Sequence, residues 1–452
     1  MNKKRTSMST TQIIMLSFLA VILVGSLLLA LPLSSADGKA VPYLDALFTS
    51  TTATCVTGLV TVPTVSSWSV FGQAVILVLI QIGGLGIITL ISALLLSLNK
   101  TLGLKNRLLL QDAFNLSSIS GLSRFLRRVL TGTFVVEGAG ALLYMTVFVP
   151  KFGARGIWIS VFNSVSAFCN AGIDIIAENS LIDYATNPVI NIVTCLLIIL
   201  GGLGFIVWWD VIRVFKMAKT HGVKCFRQLT LHSKLALSAT AILIILGSVA
   251  ILVFEWSNPA TIKELSLFDK IQISVFQSIT TRTAGFATVP QESLSTASAV
   301  SCILLMFIGG SPVGTAGGVK TVTMAVIAAF AVSTVIGREK VSIFSRSIAK
   351  DALSKAIAVV TMSFSITFIA TVLLAAVSDG SPLAILYECV SATATVGLSM
   401  NLTNTLNTAG KIIIIGAMYL GRIGPISLAF AFSVRKKRHN AITNPTENIS
   451  VG

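Results

Sequence analysis

Residues 276–286 read Phe-Gln-Ser-Ile-Thr-Thr-Arg-Thr-Ala-Gly-Phe, a half-apolar segment closing on small residues and one glycine. Three other stretches share its layout. Phe48 leads to Cys55-Val56-Thr57-Gly58-Leu59, Phe162 to Cys169-Asn170-Ala171-Gly172-Ile173, and Tyr387 to Ala394-Thr395-Val396-Gly397-Leu398. The glycines 58, 172, 285 and 397 recur at steps of 114, 113 and 112 residues, each nine or ten residues after its aromatic. Two residues past each aromatic stands Ser50, Ser164, Ser278 or Cys389. A fixed period of this kind marks a repeated structural unit.

Around these stretches the chain is strongly apolar. Of its 452 residues 54% are hydrophobic and 11% charged, against roughly 25% charged in a soluble domain. Apolar runs reach the ~20 residues that cross a bilayer at Ile13–Leu31, Val70–Leu98, Val129–Val149, Val189–Val207, Leu235–Phe254, Ala299–Met306 continued by Val319–Val335, Ala356–Val377 and Ile412–Phe432. The first run follows Lys3, Lys4 and Arg5 like a signal peptide, but it is long for one and seven more runs follow. The segments Tyr43–Thr54, Ile157–Phe168, Leu267–Thr281 and Leu383–Thr393 are too short to cross. At 1.5 Å per residue a twelve-residue helix covers about 18 Å of a ~30 Å core. Such a segment dips in and turns back, and its non-helical loop is tolerated only where buried in protein or lining a watery cavity. The expected fold is therefore an all-α integral membrane protein. It comprises four tandem helix–pore loop–helix repeats, with eight transmembrane helices and four re-entrant pore helices around one central pore. The expected boundaries are a cytoplasmic N-terminus at 1–12, repeats at 13–98, 99–216, 217–336 (with a broken second helix) and 337–434, and a cytoplasmic tail at 435–452.

The net charge of +16 is unevenly spread. Lys and Arg cluster at 3–5, 100–128, 213–234, 338–355 and 435–438, whereas the intervening polar segments hold acids such as Asp37, Asp45, Asp174, Glu178, Glu255, Glu292 and Glu388. The positive-inside rule puts both termini and the basic loops in the cytoplasm of a multi-pass cell-membrane protein. Acidic outer segments would raise the local cation concentration. This distribution points to a bilayer rather than to nucleic acid. Six cysteines without a Cys-x-x-Cys spacing, and three histidines in cytoplasmic segments, suggest neither a disulfide framework nor a metal site.

The four loops suit an uncharged, oxygen-rich ion filter. Glycines 58, 172, 285 and 397 reach backbone angles that aim carbonyls at an axis. The neighbours Cys55, Val56, Thr57, Asn170, Ala171, Thr283, Ala284, Thr395 and Val396 are small and uncharged, so backbone oxygens would replace a hydration shell. The short helices would point their partially negative C-terminal ends at the passing cation. The absence of an Asp or Glu ring argues against a calcium-type pore.

At these loops the sequence resembles the Trk/Ktr/HKT superfamily of potassium transporters over about residues 10–434. The carriers are Thr-Cys-Val-Thr-Gly-Leu at 54–59, Cys-Asn-Ala-Gly at 169–172, Thr-Thr-Arg-Thr-Ala-Gly-Phe at 280–286, Thr-Val-Gly-Leu at 395–398 and Gly421-Arg422-Ile423-Gly424-Pro425. In this family glycine at every key loop position goes with potassium, so the resemblance implies K+ as substrate, Na+ as a candidate activator and no covalent cofactor. Ile173 departs from the commoner aromatic, a change expected to affect packing behind the filter. The resemblance also implies a homodimer docked on a cytosolic ring of nucleotide-binding regulatory subunits of the KtrA/KtrC type. The basic loops and the tail Arg435–Gly452 are the expected docking surfaces.

The sixth run is broken by Gly309-Gly310-Ser311-Pro312-Val313-Gly314-Thr315-Ala316-Gly317-Gly318, followed by Lys320. So many glycines with a proline do not stay helical. The expectation is a gate formed by Gly309, Gly310, Ser311, Gly314, Gly317, Gly318, Lys320 and Arg422; a static kink is the plainer alternative. The family likewise has an intramembrane gating loop in this helix. Arg422 lies midway through the last run, where a charge needs water or a partner. It can face the pore or pair with Glu137. Lys320 can pair with carbonyls of the broken segment, and Arg282 can brace the third loop. The Gly-Gly-Leu-Gly strings at 83–86 and 201–204 read as helix packing points or joints, because no βαβ unit surrounds them. The chain shows no catalytic constellation, so no enzyme is expected. The alternative to a gated potassium-uptake subunit is a cation symporter with alternating access. That reading is weakened by four parallel repeats instead of two inverted ones.

Overall fold

The computed structural model describes residues 10–87, 89, 92, 122–221, 227–338 and 340–424. The N-terminal basic cluster at 3–5, most of the basic loop at 100–128, part of that at 213–234, the far ends of the second and eighth apolar runs, Pro425 and the tail 435–452 lie outside the described residues. The described residues are mainly helical, and among them is one two-stranded hairpin in which Ser342 pairs with Ser347 and Ile343 with Arg346.

Among the described residues, four helices are long and apolar enough to span a bilayer: α1 (Thr10–Leu29), α4 (Leu122–Phe152), α8 (Leu231–Glu255) and α12 (Lys350–Ala375). Each turns large apolar side chains outward, as Leu23, Val24 and Leu27 do on α1 and Phe364, Phe368 and Val372 on α12. A soluble protein buries such stripes; a membrane protein leaves them to lipid. The α3 (Val70–Leu85), α6 (Pro188–Leu203) with α7 (Phe205–His221), α10 (Thr296–Phe307) with α11 (Thr321–Val335), and α14 (Thr408–Ile423) helices are shorter or interrupted. The fourth apolar run thus departs from a straight crossing. It bends by 98° between α6 and α7, because Gly204 takes φ 87° and leaves the helical region.

Between each long helix and its partner lies a short one: α2 (Tyr43–Cys55), α5 (Ala154–Cys169), α9 (Leu267–Thr280) and α13 (Pro382–Ala394). Several helix starts, though not those of α2 and α5, are fixed by side-chain caps. Ser266 accepts the N–H of Asp269 and Ser381 that of Ala384, while Asn187, Thr230 and Asn407 do the same for α6, α8 and α14. The recurrent serines anchor the short helices to the long ones. Ser50 Oγ donates to the Ile22 carbonyl at 2.7 Å, Ser164 to Glu137 at 2.6 Å and Ser278 to Ile244 at 2.9 Å. Opposite each stands a glycine with no room for a side chain, as at Gly25 against Ser50 and Leu79 and at Gly140 against Ser164 and Leu197. The aromatics Phe48, Phe162, Phe276 and Tyr387 are fully buried. First and last helix groups meet where α14 packs on α2. There Lys411 Nζ lies 2.6 Å from Asp45, whose carboxylate also accepts from Thr61.

Candidate functional site

Three short helices end on a residue in the left-handed region (Val56 φ 57°, Asn170 φ 59°, Thr395 φ 53°), and Thr283 (φ 68°) holds the same place two residues before its glycine. The next amide folds back onto the helix. Thr57 N donates to Thr52 O, Ala171 N to Ser166 O and Val396 N to Ser391 O, each at 2.8 Å, and Ala284 N to Thr280 O at 2.9 Å. The side chains of those four acceptors then tie down the loop. Thr52 Oγ1 accepts from Gly58 N at 2.9 Å and Ser391 Oγ from Gly397 N at 3.0 Å, whereas Thr280 Oγ1 donates to Phe286 O at 2.6 Å and Ser166 Oγ to Ile173 O. This hydroxyl, five or six residues before each glycine, is missing from the sequence analysis above. Its recurrence at the same period was the signal that could have found it.

The four glycines have positive φ: 99° at Gly58, 63° at Gly172, 83° at Gly285 and 98° at Gly397. They also close a ring. A methyl group added at Gly58 would meet the Ala171 carbonyl oxygen, one at Gly172 that of Ala284, one at Gly285 that of Val396 and one at Gly397 that of Thr57, all within 2.7 Å. Each glycine thus faces the carbonyl of the next loop, and the fourth returns to the first. Buried polar atoms without protein partners cluster here: Thr54 Oγ1, Thr57 Oγ1, Thr395 Oγ1 and Asn170 Nδ2. Such groups are normally satisfied by water or an ion.

On one side of the ring lies a cavity of 300 Å³, with the four glycines at its base and Asp174, Glu178 and Glu292 on its walls. Burial pushes the Asp174 carboxyl up to about 6, against the pull of hydrogen bonds from Ser180 and the backbone. Behind the fourth loop Glu388, fully buried, accepts from the hydroxyls of Ser399 and Thr403. Ile173 is buried behind the second loop. Arg282, beside the third, donates to Thr240 Oγ1 of α8 at 3.3 Å.

On the other side the broken segment between α10 and α11 crosses beneath the inner ends of the short helices. Its backbone partners come from its own flanks, where Gly309 N donates to Val319 O and Thr321 N to Gly310 O, and from the α6 kink: Ser311 N donates to Gly202 O, Thr315 N to Gly201 O, and Val313 O accepts from Phe205 N. Toward the loops, Gly317 N donates to Thr283 Oγ1 and Thr315 Oγ1 to Phe168 O. Lys320 Nζ donates to Ala316 O at 2.6 Å. Arg422 donates to the Thr315 carbonyl at 2.7 Å and to the Gly83 carbonyl at 2.5 Å, so it spans the broken segment and α3. The pairing of Arg422 with Glu137, entertained from sequence, is not formed. Glu137 instead accepts from Gln81 at 3.4 Å and from the Cys169 thiol at 3.9 Å. Backbone oxygens freed at bends can partner a guanidinium as a carboxylate does, and no sequence pattern announces them.

A family model described as TrkH, cation transport protein, matches residues 1–441. The chain is 38% identical over 442 residues to Ktr system potassium uptake protein B of Bacillus subtilis, covering 98% of this chain and 96% of that protein. It is 36% identical to potassium/sodium uptake protein NtpJ of Enterococcus hirae, with 99% and 98% coverage. The crystal structure of the potassium transporter TrkH from Vibrio parahaemolyticus shares its fold, with TM-score 0.75 at 16% identity over 96% of this chain and 87% of that one. The chain belongs to the TrkH family of cation transport proteins.

Proposed function

We propose that this protein is the ion-translocating membrane subunit of a potassium uptake system. Its four tandem helix–pore loop–helix units form one pore, and the broken segment 309–318 gates it. The observation that carries the reading is the closed ring in which each loop glycine faces the carbonyl of the next loop. Carbonyl rings of this kind replace the hydration shell of a desolvated cation. The ligands are the carbonyls of Cys55–Gly58, Asn170–Gly172, Thr283–Gly285 and Thr395–Gly397. The acidic cavity outside concentrates cations, and the buried C-terminal ends of the short helices hold them at the ring. Below, Arg422 and Lys320 add positive charge and hold the segment shut through the Thr315 and Ala316 carbonyls. The gate opens when these bonds break.

Both relatives are named for potassium uptake, which supports K+ as cargo, and the second name includes sodium, which supports Na+ as a second ion or activator. The name "Ktr system" fits a subunit that works with a regulatory component. We assign that role to a cytosolic nucleotide-binding ring beneath a homodimer, with both termini on the ring side of the cell membrane.

The test is growth on limiting potassium of cells stripped of their own potassium transporters. Expression of this chain with its ring partner is expected to restore growth and net K+ accumulation. Absence of K+ accumulation despite normal membrane insertion would overturn the reading.

A further inference from the structure

Under the broken segment lies a chamber of 920 Å³ bounded by α4, α7, the start of α8 with Thr230 and His232, α11 and α12, with Pro312 and Val313 in its wall. Its size falls in the range of ligand sites, roughly 300–1,000 Å³, and its chemistry is divided. Arg124 and Arg128 of α4 and Lys355 of α12 line it, all three exposed, and the Arg128 guanidinium lies 5.6 Å from the centre of the Trp209 ring. Among the described residues the ion pairs are Arg213–Asp210 and Lys411–Asp45, so none of these three cations has a carboxylate partner there. The rest of the lining is mainly apolar, with Phe125, Val326 and Val359 among its side chains. Three like charges around one chamber repel each other and any cation leaving the pore, and an anion in their midst removes both penalties. A free phosphate would leave the apolar wall wet, whereas a phosphate carrying an acyl chain covers it. The cations also stand near the starts of α4 and α12, at the basic end of the molecule where anionic lipid headgroups attract Lys and Arg.

We propose that this chamber binds one anionic phospholipid, with its phosphate on Arg124, Arg128 and Lys355 and its chain along Phe125, Val326 and Val359, and that occupancy promotes opening of the segment at Val313. The effect on opening rests on the pore reading above; the binding itself does not.

The test has two arms. In native mass spectrometry of the delipidated full-length protein, one phosphatidylglycerol per chain is expected to survive activation that strips phosphatidylcholine. It should be lost in R124Q/R128Q/K355Q and kept in R127Q, a neighbouring exposed arginine outside the chamber. In vesicles, adding phosphatidylglycerol to phosphatidylcholine should raise K+ flux several-fold for the wild type and R127Q, but not for the triple variant. Inorganic phosphate in neutral vesicles should change nothing. Should the triple variant not insert, Val326→Trp blocks the apolar wall and is expected to lose both responses. Retention and stimulation unchanged in both the triple and Val326→Trp variants would overturn the proposal, as would full stimulation by inorganic phosphate alone. Specific retention by protein that passes no ion in any lipid would support the site and overturn the pore reading instead.

Discussion

The outer and inner halves of this protein treat its fourfold pattern differently. At the glycine loops the four units are alike: each has a left-handed residue two before the glycine, a folded-back amide and a hydroxyl brace. The brace accepts from the glycine amide in the first and fourth units and donates to the carbonyl after the glycine in the second and third. One layer further in, three units remain alike. Gly86, Gly204 and Gly424 end their helices with φ of 86°, 87° and 85°, and Gly83, Gly201 and Gly421 press against the carbonyls of Thr54, Phe168 and Thr393. The third unit departs, and its helix opens into the segment at 309–318. A desolvated cation needs a ligand set that is equal on all sides, so symmetry suits the ring. A switch needs one element cheaper to move than its neighbours, and the gating role proposed above falls to a stretch held by a few loop hydrogen bonds instead of a helical ladder. Arg422, in the place of Gly84 and Gly202 within the Gly-x-x-Gly pattern, is the residue by which the fourth unit holds the third.

The largest effect is expected where the inner glycines are filled. Gly201→Ala drives a methyl into the Phe168 carbonyl and Gly421→Ala into that of Thr393. Overpacking of this kind costs about 1–3 kcal/mol or more, so both variants should accumulate poorly in membranes by immunoblot. Gly138→Ala meets no atom within 4 Å and should gain roughly 0.5–1 kcal/mol. Equal accumulation of all three would break the comparison. Next comes Arg422→Gln. Hydrogen bonds to charged groups are worth roughly 1.5–3 kcal/mol, so losing the one to Thr315 should raise rubidium flux about tenfold. A fall in flux would make the arginine a structural strut only. The braces sharpen the outer half. Thr52→Ala and Ser391→Ala each strand a loop amide at a cost of ~1–3 kcal/mol, and they should weaken K+ preference to similar extents while Thr52→Ser restores it. The smallest effect is that of acid. Asp174 is charged above about 6 and neutral below it. Uptake at limiting K+ should therefore fall as outside pH drops from neutrality through that value, and Asp174→Asn should flatten this part of the profile.

Much of the outer half was legible in the sequence, because a loop that needs a glycine and an aromatic anchor at fixed offsets repeats them openly, whereas its brace hydroxyl alternates between Thr and Ser and stands out less. The inner half was harder to read. The Gly-Gly-Leu-Gly strings were visible at 83–86 and 201–204, but their kinship with Gly421-Arg422-Ile423-Gly424 is hidden by the arginine itself. The closure of the ring, the Lys411–Asp45 pair and the carbonyl partners of Arg422 join residues more than a hundred positions apart. Long-range partners that are backbone atoms leave no mark in side-chain composition. Glu137 illustrates the trap: it was the one acid well inside an apolar run, and its carboxylate meets an amide and a thiol instead of the arginine.

The central claim is that ions pass the ring of four glycines, and it is tested most directly by the K+/Na+ flux ratio of reconstituted protein carrying Gly58→Ser, Gly172→Ser, Gly285→Ser or Gly397→Ser. Each hydroxymethyl group would enter the space of the next loop's carbonyl, so all four variants should lose K+ preference by roughly tenfold, a change worth about 1.4 kcal/mol. A variant that folds, conducts and keeps the wild-type ratio at any one of the four positions would contradict the account.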